Sequence, residues 1–180
     1  MSVRSNLRVE RNYLPGPSTG RRPGNNSLTA LVFAMTLLLS ACNSSFRQGA
    51  AVDNESQIDN EIRAVMEAQQ AAWNRGDIEA FMDGYDRAET TTFVSGDQLI
   101  RGWQTVFDRY KKQYSSREQM GTLSFAELTI TPIAADLALA DGRWQLTRAN
   151  DSPHGRFTLL FKRINSKWRI IHDTTTSAAS

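Results

Sequence analysis

An α+β fold, with helices first and an antiparallel β-sheet after them, follows from three features of this chain. Apolar residues between Ile58 and Tyr114 recur mostly at helical spacing. From Thr122 onward the period shortens to that of strands. The strand-like stretches are separated by short turns rich in Asn, Asp, Ser and Pro. Helices followed by closely connected strands place the helices on one face of an antiparallel sheet, and leave the other face wet or paired with a second subunit.

The elements read in order as follows. Ile58, Ile62, Val65, Met66, Ala72 and Trp73 make one apolar helix face, interrupted only by the polar Gln69. Ser56 with Asp59 offers a cap at its start. Asn74-Arg75-Gly76-Asp77 ends it, with Gly76 suited to a left-handed closing position. Asp77 can cap a second helix with the face Ile78, Phe81, Met82 and Tyr85. Thr90 to Val94 reads as a strand, Ser95-Gly96-Asp97 as a turn, and Leu99 to Arg101 as a short returning strand. Trp103, Val106, Phe107, Tyr110 and Tyr114 form another helical face. After a polar loop from Ser115 to Gly121, four strands are expected over Thr122–Pro132, Ile133–Arg148, Gly155–Ile164 and Lys167–Thr176.

The first 56 residues read differently. Arg21 and Arg22 precede an apolar run from Leu28 to Leu39, which ends in Ser40, Ala41 and Cys42, the chain's single cysteine. A positive flank, a short apolar core and small residues make the layout of an export signal. The run is too short for a bilayer-spanning helix, which needs about 20 apolar residues. Residues 1–41 are therefore expected to be a signal peptide, 42–56 a tether, and 57–178 the folded domain. Five arginines and Glu10 precede Cys42, so of the 21 basic and 19 acidic residues the remaining chain keeps 16 and 18. No basic stripe suggests a nucleic-acid partner. With Cys42 modified, no thiol is left for a disulfide or a thiolate metal site.

Leu39-Ser40-Ala41-Cys42 resembles a bacterial lipoprotein lipobox. That resemblance implies lipid attachment at Cys42, an anchor in the cell envelope and, from Asn43, the periplasmic side of the outer membrane in a Gram-negative cell. The string Trp73-Asn74-Arg75-Gly76-Asp77-Ile78-Glu79-Ala80-Phe81 with Tyr85, the Arg101-Gly102-Trp103 step and the ending Trp168-Arg169-Ile170-Ile171-His172-Asp173-Thr174-Thr175-Thr176-Ser177 resemble the nuclear transport factor 2-like superfamily, in its SnoaL-like and ketosteroid-isomerase-like branch. The resemblance covers about residues 57–177. It implies a cone, with N-terminal helices packed on a curved sheet around a pocket, and a homodimer formed through the sheet. One fold of this kind hosts many chemistries.

On strict alternation in the last strand, His172 and Thr174 share a face with Trp168 and Ile170, while Asp173 shares the other with Arg169 and Ile171. His172 is then the candidate acid or base. Related sequences often carry a second histidine where this chain has Thr174. Tyr85 is a candidate hydroxyl, and Asp83, Asp86 and Asp173 are candidate acids for an isomerase-type site. Tyr85, Phe93, Trp103 and Trp144, with Thr174, are expected to line an apolar pocket with polar tips; Phe157 is a further aromatic candidate. His154 and His172 lack metal-ligand spacing, no phosphate-binding glycine loop or nucleophile elbow occurs, and no cofactor is implied. The expectation is a small-molecule binder without chemistry, because no general base can be placed; the alternative is an acid–base enzyme of the isomerase or polyketide-cyclase type using His172.

Overall fold

The computed structural model describes residues 54–178. The signal, Cys42 and the tether as far as residue 53 lie outside the described residues. Helix α1 covers 54–74. The last residues assigned to the tether are thus helical, and Ser56 lies within the helix instead of capping it. Ile58, Ile62, Met66, Ala72 and Trp73 are buried. Gly76 has φ +87°, and the amides of Gly76 and Asp77 donate back to the carbonyls of Trp73 and Ala72 at 2.8 and 2.9 Å, the closure a left-handed glycine permits. Asp77 Oδ1 accepts from the Ala80 amide at 2.9 Å and so caps α2 (Ile78–Met82).

A hairpin of β1 (Thr92–Ser95) and β2 (Gln98–Arg101) follows, then α3 (Trp103–Gln113). The stretch expected to be wholly loop contains a short helix, α4 (Arg117–Met120), where the Ser116 hydroxyl caps by accepting from the Gln119 amide. Its four residues are too few to show an apolar period. Strands β3 (Thr122–Ala134), β4 (Leu137–Thr147), β5 (His154–Ile164) and β6 (Lys167–Thr175) then run as a meander. The sheet order is β2-β1-β6-β5-β4-β3. Every pairing is antiparallel except β1 with β6, which is parallel. The long excursion through α3 and the meander lets the chain return beside β1 in the same direction, a connection no hairpin can make.

The sheet is open and curved, with the helices on one face. Three breaks in pairing register help it bend: between Ala126 and Thr129 on β3, between Pro132 and Ala134 on β3, and at Ile171 on β6. An extra residue on one strand kinks it and increases its twist. The concave face holds the core, where Phe161, Ile170, Trp168, Ile58, Ile62 and Met66 pack in one cluster. Burying each such side chain contributes about 1.5–3 kcal/mol.

Side-chain amides fasten α1 to the sheet. Asn74 donates to the Leu123 carbonyl at 3.0 Å and accepts from its amide at 2.7 Å, imitating a neighbouring strand. Gln70 Oε1 accepts from the Phe125 amide at 2.9 Å. Trp73 Nε1 donates to the Met120 carbonyl at 3.1 Å. These contacts hold the C-terminal end of α1 over the start of β3 and fix one wall of the cavity described next.

Candidate functional site

The bulge in β6 determines which side chains reach the interior. Ile170 pairs with Phe161, and His172 pairs with the preceding residue, Leu160, so Ile171 has no partner of its own. Trp168 and Ile170 point inward before the bulge, and Asp173 and Thr175 do so after it, while His172 and Thr174 turn to the outer face. Strict alternation is therefore broken, and the expected face assignments of residues 172–175 are reversed. The bulge lies where β6 changes its edge partner. Tyr85 bridges to Ile170, and β1 takes over from His172 onward. A bulge at such a changeover re-aims the side chains that follow it.

Asp173 is 3% exposed. The Tyr85 hydroxyl donates to its Oδ2 at 2.6 Å, and the Thr175 hydroxyl donates to its Oδ1 at 2.7 Å. Burial raises the Asp173 pKa to about 6, against the opposing pull of the Tyr85 and Thr175 hydrogen bonds and the nearby charges of His172 and Arg109. Burial also pushes the Tyr85 hydroxyl well above its usual range, and the Asp173 charge adds to this. Tyr110 is raised in the same way, by burial first and then by Asp173. The two phenols thus stay protonated, and Tyr85 serves as a donor to the carboxyl, whose pKa lies at about 6.

These groups belong to a cavity of about 290 Å³ enclosed by α1, α2, α3 and the concave sheet. This is at the small end of the range for ligand pockets, about 300–1,000 Å³. Nine aromatic residues contribute to its walls. Trp73 meets Phe81, Tyr110 and Tyr114 edge-on at centroid distances of 5.1, 6.1 and 4.7 Å, and Phe125 meets Phe157 at 5.4 Å. The polar break in the α1 face has a structural reason: buried Gln69 donates to the Phe81 carbonyl at 3.0 Å and lines the cavity. Half-buried Arg109 and Arg148 stand at the rim.

A profile of the SnoaL-like domain matches residues 62–178. The chain belongs to the SnoaL-like domain family. Similar solved structures include an NTF2-like protein of unknown function from Shewanella oneidensis, with 35% identity, a TM-score of 0.64, and coverage of 66% of this chain and 98% of that one. An NTF2-like protein of unknown function from Pseudomonas putida has 20% identity, a TM-score of 0.57 and coverage of 69% and 89%. A nuclear transport factor 2-like superfamily protein from Salmonella enterica has 20% identity, a TM-score of 0.56 and coverage of 69% and 94%. At these lower identities the likeness concerns the fold. No curated protein matches the chain.

Within the SnoaL-like domain, Tyr85, Phe93 and Trp144 line the cavity, as does Phe157. Trp103 does not; it opens α3, is buried, donates Nε1 to the Met82 carbonyl at the end of α2 at 3.1 Å and stacks on Phe107 of its own helix at 5.1 Å. His172 and Thr174 do not line the cavity either. His172 Nδ1 lies 2.6 Å from Thr92 Oγ1, and its Nε2 lies 2.9 Å from Thr174 Oγ1, so both ring nitrogens are engaged on the outer face. Asp83 and Asp86 are not in the cavity wall; Asp83 pairs with Arg87 on the surface. Of the three candidate acids the structure brings Asp173 into the cavity wall, and Arg109, Arg148 and Tyr110 are polar groups there that the sequence pattern left unplaced. Cys42 lies outside the described residues. Among the described residues, no cluster of three His, Cys, Asp or Glu has the geometry of a metal site, and no helix is long and apolar enough to cross a membrane.

Proposed function

We propose that this SnoaL-like domain binds a small amphipathic molecule in its cavity and moves a proton on it, with Asp173 as general base. The observation that carries this reading is a carboxyl with 3% exposure in a cavity wall and a pKa raised to about 6. Such a group is ionised at neutral pH yet basic enough to accept a proton. It can take a proton from one position of the ligand and return it to another. Tyr85, held as a neutral donor at 2.6 Å from Asp173, supports the carboxylate while Asp173 is ionised. A purely structural role accounts poorly for Asp173, because a buried carboxyl with a raised pKa lowers stability at neutral pH. The sequence favours binding without chemistry, because the second histidine is missing and no general base can be placed; in the present reading Asp173 is that base, and His172 faces away.

The test incubates the full-length protein with a metabolite extract in D₂O and follows deuterium uptake by mass spectrometry. The wild type should deuterate at least one metabolite, and Asp173→Asn should slow this about 10²–10⁴-fold, the usual contribution of a positioned acid or base. No deuterated metabolite with the wild type would remove proton transfer from the reading, and equal uptake by the variant would remove Asp173.

The proposal places this activity at a membrane surface, with the domain tethered by lipid on Cys42. The support is the Arg21-Arg22 flank, the apolar run and the Leu39-Ser40-Ala41-Cys42 sequence. Metabolic labelling with an alkynyl fatty acid should mark the wild type and not Cys42→Ala; equal labelling would exclude that residue as the anchor.

A further inference from the structure

We propose that the molecule taken into the cavity is a small organic carboxylate, held by its acid group between Arg109 and Arg148 at the rim. The inference rests on the reading of the cavity as a ligand site and names the chemical class of its occupant.

Two half-buried arginines line the same cavity, where a guanidinium can meet an anionic group of a ligand. Arg148 follows β4, and its stem lies across the turn from α4 to β3, where a β-carbon on Gly121 would approach its Cγ to 2.7 Å. Its Nη1 makes a long contact of 3.4 Å with the exposed Asp151. Its Nε is buried and has no hydrogen-bond partner. Arg109 lies over the Phe93 ring at 5.0 Å, and its Nη1 donates to Gln113 Oε1 at 2.9 Å. Its contacts among the described residues thus engage one end of the guanidinium and supply no carboxylate.

Both cations act on the same spot. The charges of Arg109 and Arg148 each favour the ionised form of the Tyr114 hydroxyl, against its burial. Arg109, Tyr114 and Arg148 line the same cavity, so an anion bound beside Tyr114 would feel both charges. A carboxylate accepts two parallel N–H bonds from the side of a guanidinium formed by Nε and one Nη, and such paired charge-assisted bonds are the strong ones.

The arrangement orients the ligand. The acid group at the rim places the apolar body among Phe81, Trp144 and Phe157 and the far end toward Asp173. The opposite orientation would bring two carboxylates together in an apolar site, where like charges repel strongly. The small volume suits one ring or a short chain.

Calorimetry on the full-length protein would compare 3-phenylpropionate with its neutral isostere 3-phenylpropionamide. The acid should bind at least about tenfold more tightly, as loss of a paired charge-assisted contact implies. Arg109→Gln and Arg148→Gln should each remove part of that preference, and the double variant should bind acid and amide equally. Arg148→Lys, which keeps the charge but not the fork, should fall between wild type and Arg148→Gln. Arg156→Gln, which breaks an exposed ion pair with Glu127, should leave the preference intact. Equal wild-type affinities would overturn the carboxylate inference and leave the cavity reading standing. Binding of neither compound would overturn both. An Arg148→Gln that weakened acid and amide alike would reduce Arg148 to packing.

Discussion

His172 and Asp173 are neighbours in the chain and occupy opposite sides of the sheet. Each is hydrogen-bonded to a threonine two residues later: His172 to Thr174 at 2.9 Å, Asp173 to Thr175 at 2.7 Å. The local pattern is nearly the same, and the environment is not. His172 sits half-buried on the outer face with both ring nitrogens occupied by hydroxyls. Asp173 is enclosed with two phenols against a cavity that leaves room for a ligand. A histidine is the more familiar proton carrier near neutral pH, yet the carboxyl is the group whose burial moves its pKa there. Which of the two can act on a ligand is decided by one unpaired residue, Ile171.

The largest effect that tests this contrast is on proton transfer. Asp173→Asn should lower deuterium uptake about 10²–10⁴-fold, whereas His172→Gln should change it by less than about threefold, since His172 does not touch the cavity. Loss of activity in His172→Gln with an unchanged melting temperature would break the comparison and return the base to the outer face.

Stability separates the two faces next. The Asp173 pKa rises from 3.8 to about 6 on folding. Below about pH 4 the carboxyl is protonated in both states. Between pH 4 and 6 the unfolded chain ionises first while the folded protein keeps its proton, so stability falls as pH rises. Above pH 6 both forms are ionised and the penalty is constant. The pKa difference corresponds to about 3 kcal/mol as an order of magnitude. Glu61, Asp77 and Glu118 have lowered values and oppose this trend at acid pH, so the informative quantity is the difference between wild type and Asp173→Asn. Urea unfolding should show the variant gaining stability relative to wild type from pH 4 to pH 7, then no further. A constant difference across that range would show that Asp173 does not carry the raised pKa.

Much of this fold can be read from the chain, because its signals are local. The α1 face, the Gly76 closure, the Asp77 cap and the hairpin turns each depend on residues within a few positions of one another. The one polar residue on the α1 face, Gln69, is visible in the sequence as an interruption, and only the structure gives its reason, a bond to the Phe81 carbonyl at the cavity wall. The site depends on relations that are not local. No residue type announces the bulge at Ile171, since Ile170 and Ile171 are identical and both suit a strand. It coincides with the change of partner from Tyr85 to β1 beside β6. Trp103 looks the same in sequence whether it faces a cavity or is buried away from it. Arg109 and Arg148 lie 39 positions apart and come to line one cavity only in the folded domain.

The smallest expected effect is the most specific test of the bulge. Thr175→Val removes a donor to Asp173 Oδ1, so the carboxylate loses support and the Asp173 pKa should rise further from about 6, by on the order of one pH unit or less for one hydrogen bond. Thr174→Val removes the outer contact to His172 Nε2 and should leave Asp173 nearly unmoved. Carboxyl ¹³C titration of the two variants reads this directly. The substitutions are chemically identical and one residue apart, so differences in size, polarity or strand propensity cannot separate them. Only the facing imposed by the unpaired Ile171 can. Under strict alternation Thr174 and Asp173 would still lie on opposite faces, but Asp173 and Thr175 would lie outside with Arg169. Their carboxyl and hydroxyl would then be solvated, and the Thr175 substitution would be as silent as the other.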